Sequence, residues 1–106
     1  MDANVIKEFA AEKGYQTSLL DRWLAYEADD RKALFQLARL LKPSGSHLRD
    51  MMDWLEEISL RDHRSISAIL GTKAMADLLT HPRLGRGDKL KRLKDELRRL
   101  RRTGRS

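Results

Sequence analysis

Eleven of the chain's 22 lysines and arginines lie between Arg83 and Arg105, against only Asp88, Asp95 and Glu96, so this segment carries a net charge of +8. Cations at that density neutralise phosphates and release the counterions condensed on a nucleic acid. Leucines 90, 93, 97 and 100 recur among them at spacings of three, four and three, which aligns them on one stripe of a helix. With the stripe buried, Lys89, Arg92, Arg99 and Arg102 would project outward as a ridge suited to phosphate, led by Arg86 in the preceding loop. The first thirty residues are the reverse, with three basic against seven acidic side chains and a net charge of −4. The chain is polarised, and a polyanion would meet its C-terminal end first.

Other chemistry finds few candidates. There are no cysteines, and His47, His63 and His81 stand 16 and 18 positions apart, which is not metal-ligand spacing. Asp29-Asp30 and Glu56-Glu57 are adjacent on helical stretches, where neighbours diverge by about 100° and do not aim at one substrate atom. No phosphate-cradling glycine loop or nucleophile elbow occurs. The chain is expected not to be an enzyme and to need no cofactor and no metal. Arg86-Gly87-Asp88 spells an adhesion tripeptide but reads better as a loop followed by a helix cap. A smaller basic group, Arg61, His63 and Arg64, precedes Ser65-Ile66-Ser67, where the start of a short helix would offer backbone N–H groups to a phosphate.

A second pattern lies at the acidic end. Between Phe9 and Leu24, Ala10 is a small residue four before Gly14, where two helices would cross closely. Gly14 takes the turn, the apolar Tyr15 follows, Thr17 stands where a cap belongs, and Leu20 and Trp23 would anchor a second helix on the first. These 16 of 106 residues resemble the helix-turn-helix of DNA-binding domains. More distantly they resemble the helical DNA-binding segment of ParB-like partition proteins, without the nucleotide-binding domain that precedes it there. The resemblance implies a transcription or partition role, with the second helix in the major groove. Gln16, Thr17, Ser18 and Arg22 would then face the bases, glutamine and arginine being suited to adenine and guanine. The same spacing serves a plain packing hairpin, and Asp21, Glu27 and Asp29 would repel phosphates near that helix.

The elements that must position these residues read as helices throughout. The first is expected from an Asp2 cap to Lys13, burying Val5, Ile6, Phe9 and Ala10, with a left-handed Gly14 closing it. A second, capped by Thr17 or Ser18, would end near Ala28. Asp29-Asp30 would cap a third, Arg31 to Leu41, carrying Leu34, Leu37, Ala38 and Leu41 inward before Pro43 stops it. A fourth from Ser46 to about Leu60 would bury Leu48, Met51, Met52, Leu55 and Ile58. Ser65 and Thr72 cap two short helices, the first closed by Gly71 and the second running from Lys73 to Leu79. Asp88 would cap a final helix of about fourteen residues, supported by Lys91–Asp95, Arg92–Glu96 and Asp95–Arg99 pairs. Burying its four leucines is worth roughly 6 to 12 kcal/mol before entropy, which favours a docked helix over a loose tail.

Composition agrees. A hydrophobic fraction of 41 % with only six aromatics, and 36 % charged residues, suit amphipathic helices better than sheets. The fold class is all-α: a compact bundle of about seven short helices, with residues 1–84 as the main domain and the basic helix, 85–106, docked on it. No apolar run approaches the ~20 residues needed to cross a bilayer, so the chain reads as cytoplasmic with no membrane partner. The expected partner is nucleic acid, DNA in preference to RNA. The alternative is a helical protein–protein interaction module using the leucine face or the Met51-Met52-Trp54 region, with a second copy or a larger protein as partner.

Overall fold

The computed structural model describes residues 3–103. Among the described residues the chain forms seven helices and no strand: α1 (Ala3–Lys13), α2 (Thr17–Leu24), α3 (Ala28–Leu41), α4 (Gly45–Asp62), α5 (Ile66–Leu70), α6 (Lys73–Leu79) and α7 (Arg86–Thr103). Local chemistry sets most of the boundaries. Ser44, Ser65 and Thr72 each accept a hydrogen bond from the backbone N–H three residues on, which satisfies one of the donors that a helix start leaves without a partner. Gly14 closes α1 at φ +74°, a left-handed conformation that glycine adopts without a Cβ clash. Lys42 and His63 close α3 and α4 in the same region at φ 48° and 54°. A side chain pays for that geometry, and at Lys42 the buried Pro43 follows, whose carbonyl accepts from the Tyr15 hydroxyl at 2.7 Å.

Several boundaries differ from expectation. The Asp2 cap lies outside the described residues. Gln16, not Thr17 or Ser18, occupies the cap position of α2, with no side-chain bond. That helix ends at Leu24 rather than Ala28, because Arg31 reaches back to the carbonyls of Leu24 (3.4 Å) and Tyr26 (2.9 Å) and closes the turn. Asp29 and Asp30 sit inside the first turn of α3, where carboxylates still favour the helix dipole, and do not cap it. The cap of α4 is Ser44, and that helix runs on past Leu60 to Asp62. Gly71 ends α5 with negative φ (−91°), not left-handed. The last helix begins two residues before Asp88 and spans 18 residues.

One hydrophobic core is shared by all seven helices. Ile6, Trp23, Leu34, Leu48, Met51, Leu55, Ile69, Leu93 and Leu97 are among its fully or almost fully enclosed members. Phe35, outside the inward stripe expected for α3, is also buried, while Val5, expected inside, is 41 % exposed. Four of the six aromatic residues gather where α1, α2 and α3 meet. Phe9 meets Tyr15, Trp23 and Phe35 edge-on at centroid distances of 6.0, 6.3 and 5.7 Å. Such edge-to-face pairs add to what burial alone contributes and fix how α1, α2 and α3 meet. The Cα radius of gyration, 13.2 Å, is that of one globule of about 100 residues.

Burial also marks the tyrosines. It pushes the Tyr15 phenol from 10.0 up to about 12. It raises Tyr26 further still, and there a hydrogen bond to the Glu56 carboxylate adds to the effect. A group whose protonated form is favoured by folding stabilises fully below its unfolded pKa and loses that contribution as pH rises through the folded one. Phenolate absorbance is therefore expected to stay low at pH 10, and stability to fall between about pH 10 and 12, with absorbance and ellipticity changing together. Ordinary tyrosinate absorbance appearing at pH 10 in the folded protein would contradict this.

Candidate nucleic-acid interface

The basic helix is anchored before it is available. Leu93 and Leu97 are fully buried, and Leu90 and Leu100 pack partly buried against the same core. The side of α7 that faces α4 adds polar contacts. Arg101 pairs with Glu57 at 2.8 Å, and Lys94 lies 2.7 Å from His47 Nδ1 and 3.7 Å from Asp50. Trp54 offers its ring to Lys94 at 5.8 Å and to Arg98 at 5.3 Å, a cation–π arrangement that holds both stems against α4.

Arg61 does something other than wait for a phosphate. Its guanidinium donates to the carbonyls of Arg101 (2.6 Å) and Leu100 (2.8 Å) and to Asp62 at 2.8 Å. A cation on the carbonyls that end a helix satisfies acceptors with no intrahelical partner and suits the negative end of the dipole. Hydrogen bonding to Asp62, against a smaller desolvation effect, keeps the guanidinium more firmly protonated than usual. Arg61→Ala is expected to fray the last turn of α7. Hydrogen exchange should quicken at residues 100–103 while α3 and α4 stay protected, whereas unchanged exchange would remove Arg61 from this role.

Within α7 the ion pairs run at i,i+3. Arg98 meets Asp95 at 2.9 Å and Arg99 meets Glu96 at 2.7 Å. None of the three expected i,i+4 pairs forms, because Asp95 and Glu96 take the nearer arginine on the following turn. The Arg99 hydrogen bond holds the Glu96 carboxyl below the usual carboxylate range, in spite of some desolvation. These pairs are solvent-exposed and weakly held. Arg86, Lys91, Arg92 and Arg102 are exposed and Lys89 is half-buried, and these five cations have no ion-pair partner among the described residues. Of the expected outward ridge, Arg92, Arg99 and Arg102 stand clear, while Lys89 lies on the flank of the leucine face.

At the other candidate surface, Gln16, Thr17 and Ser18 are exposed at the start of α2. Gln16 and Ser18, but not Thr17, border a cleft of about 330 Å³ shared with Gly45, Ser46 and Arg49 at the start of α4. Arg49 carries no local sequence signal and emerges only from this packing. Arg22, expected to face a base, is instead bound to Asp53 (2.8 Å) and Glu56 (2.9 Å). Partial burial works against its charge, and those two carboxylates outweigh that effect and keep it protonated. The α5 site changes likewise. The N–H of Ser67 donates to Asp30 at 2.8 Å and that of Ala68 to Ser65 Oγ at 3.1 Å, so a carboxylate already occupies the place imagined for a phosphate. Arg64 is half-buried beside it, with its backbone tied to Ser59.

No family model matches this chain, and neither does any curated protein or solved structure.

Charge distribution therefore has to separate the two candidate surfaces. Asp50, Asp53, Glu56 and Glu57 all belong to α4, with Asp53 and Glu56 turned to Arg22 of α2 and Asp50 and Glu57 turned to Lys94 and Arg101 of α7. An acidic helix thus stands between α2 and α7. A polyanion touching both at once would have to pass over it. Among the described residues no three His, Asp or Glu side chains converge as a metal site would need, and no helix is long and apolar enough to cross a membrane.

Proposed function

We propose that the protein is a nucleic-acid-binding module that holds a double-stranded partner, DNA in preference to RNA, on the exposed cationic face of α7, as part of a regulatory or partition system. The observation that carries this reading is the group of exposed cations Lys91, Arg92 and Arg102, which internal ion pairs leave unneutralised on the outward side of a helix fixed by two buried leucines, with the weakly paired Arg98 and Arg99 beside them. Docking removes the entropy cost that a loose basic tail pays on binding. The α2 helix is a weaker reader, since Arg22 would have to abandon two carboxylates and enter a groove beside an acidic helix. Fluorescence anisotropy with labelled duplex DNA at low and moderate salt tests the reading, and salt-insensitive or absent binding would reject it.

A protein–protein role has one observation in its favour. A cleft of about 440 Å³ between α3 and the α5–α6 region is lined by Ala33, Leu37, Leu40, Leu70 and Leu79, and Leu40 is 46 % exposed. Binding to a protein through that cleft would be insensitive to charge changes on α7, which separates the two readings.

A further inference from the structure

The exposed part of α7 is not uniformly basic, and its pattern is informative. At about 100° per residue, Lys91, Arg98 and Arg102 fall within about 40° of one another on the side toward α4, and Arg92 and Arg99 within about 20° on the side toward α6. The two rows stand about 90° apart, the first extending for roughly 16 Å along the axis and the second for roughly 10 Å. Between them, on the crest, lie Asp88 and Asp95, both exposed, with the Asp95 side chain 58 % accessible. Neighbouring elements respect this division. Trp54 of α4 holds Arg98 in the first row, and Arg92 and Arg99 border a shallow groove with Ala74 and Leu78 of α6. The acids of α4 nearest the first row, Asp50 and Glu57, are already answered by Lys94 and Arg101.

A helix lying along a single phosphate backbone needs cations on its crest, and carboxylates there would be repelled. A helix lying in a groove needs the opposite: cations on both flanks for the two strands, and hydrogen-bonding groups on the crest for the base edges. We infer that α7 lies in the major groove of B-form DNA, with its two cation rows toward the two backbones and Asp95 toward the bases, where it accepts from a cytosine amino group. This inference rests on the reading of α7 as the nucleic-acid-binding element and assigns it the base-reading role that the sequence pattern gave to α2. The dimensions agree. A helix with its side chains is about 10 to 12 Å across, and the B-DNA major groove is about 12 Å wide. The deep, narrow major groove of A-form RNA would not admit it. The Asp95–Arg98 pair does not stand in the way, since an exposed i,i+3 pair can exchange partners at little cost.

The test is selection of the full chain against a pool of randomised DNA duplexes, followed by anisotropy on the selected duplex, on its permuted variants and on duplex RNA of the same sequence. The expected result is enrichment of a C·G pair whose replacement weakens binding about tenfold, together with weaker binding to RNA. Asp95→Ala should abolish that preference, and Asp95→Asn should move it toward adenine, which asparagine reads through N6 and N7. Since Asp95 is exposed, both variants should retain the helical ellipticity of the parent. Salt-sensitive binding without base enrichment, enrichment unchanged in both Asp95 variants, or equal affinity for RNA would overturn groove reading by α7 while leaving phosphate binding intact. Absence of salt-sensitive binding to any duplex would overturn the underlying reading itself.

Discussion

Truncation of Trp23 to alanine is expected to cost about 3 to 5 kcal/mol, a large share of the ~5 to 15 kcal/mol that holds a domain of this size together. Trp23 is fully buried, and its ring meets Phe9 at 6.3 Å and Phe35 at 6.5 Å, so its removal leaves a cavity bordered by rigid aromatic neighbours that cannot collapse into it. The indole also donates to the carbonyl of Arg31 at 3.2 Å, on the same residue whose guanidinium closes α2. Its loss therefore strikes the α1–α2–α3 junction twice, through packing and through the turn that joins α2 to α3. Urea unfolding followed by circular dichroism measures the change. Trp23→Phe, which keeps most of the ring, should lose clearly less, and equal stability of Trp23→Ala and the parent would show that this junction does not depend on the indole.

The second large effect concerns binding. The five cations of the two α7 rows, Lys91, Arg92, Arg98, Arg99 and Arg102, each neutralising one phosphate, give a log–log salt slope of about −4.5, so affinity for duplex DNA should fall about 500-fold between 50 and 200 mM salt. Reversing Lys91, Arg92 and Arg102 together to glutamate should remove measurable binding at 150 mM salt, since attraction at three positions becomes repulsion. All three side chains are exposed and make no ion pair among the described residues, so unfolding behaviour should change little. Arg22→Ala makes the matched comparison. It should loosen the α2–α4 contact that Asp53 and Glu56 maintain, without steepening or flattening the salt slope. A slope that falls by about one in Arg22→Ala, and stays unchanged in the α7 variant, would move the interface to α2.

What could be read in the sequence was local. The leucines of α7, the caps at Ser65 and Thr72, and the inward faces of α3 and α4 depend on neighbours three or four residues away, and the helical period exposes them. What could not be read was long-range. Arg22 looks like a free base reader until folding brings Asp53, 31 positions on, to within 2.8 Å. Arg61 looks like a phosphate contact until it meets Leu100, 39 positions on, and becomes the end-piece of another helix. Asp30 takes the start of α5 for the same reason, across 37 positions. In each case the local pattern offers the charge to a base, a phosphate or a helix cap, whereas its partner lies on a different helix, and pairing across helices is what folding decides. The division of α7 into two cation rows around an acidic crest was present in the helical spacing. It gained meaning once packing showed which cations α4 already consumes.

The helix-turn-helix spacing of residues 9–24 has a physical use independent of base reading. Ala10 is buried, Gly14 makes the left-handed turn, and Trp23 carries α2 onto the core together with Leu19, while Leu20, the other expected anchor, is only partly buried, so most of the residues that such a motif requires also build a stable hairpin. The carboxylates of α4 beside it disfavour phosphate, although the exposed Arg49 shares its cleft, and the proposed phosphate contacts are those of α7.

The central claim is that α7 supplies the phosphate-binding surface, and the salt dependence of duplex binding tests it most directly. Anisotropy of a labelled duplex titrated with the parent chain and with the Lys91, Arg92 and Arg102 glutamate variant, from 50 to 200 mM salt, should give a slope near −4.5 for the parent and no measurable binding for the variant at the upper end. Parent and variant binding with the same affinity and the same slope would contradict it.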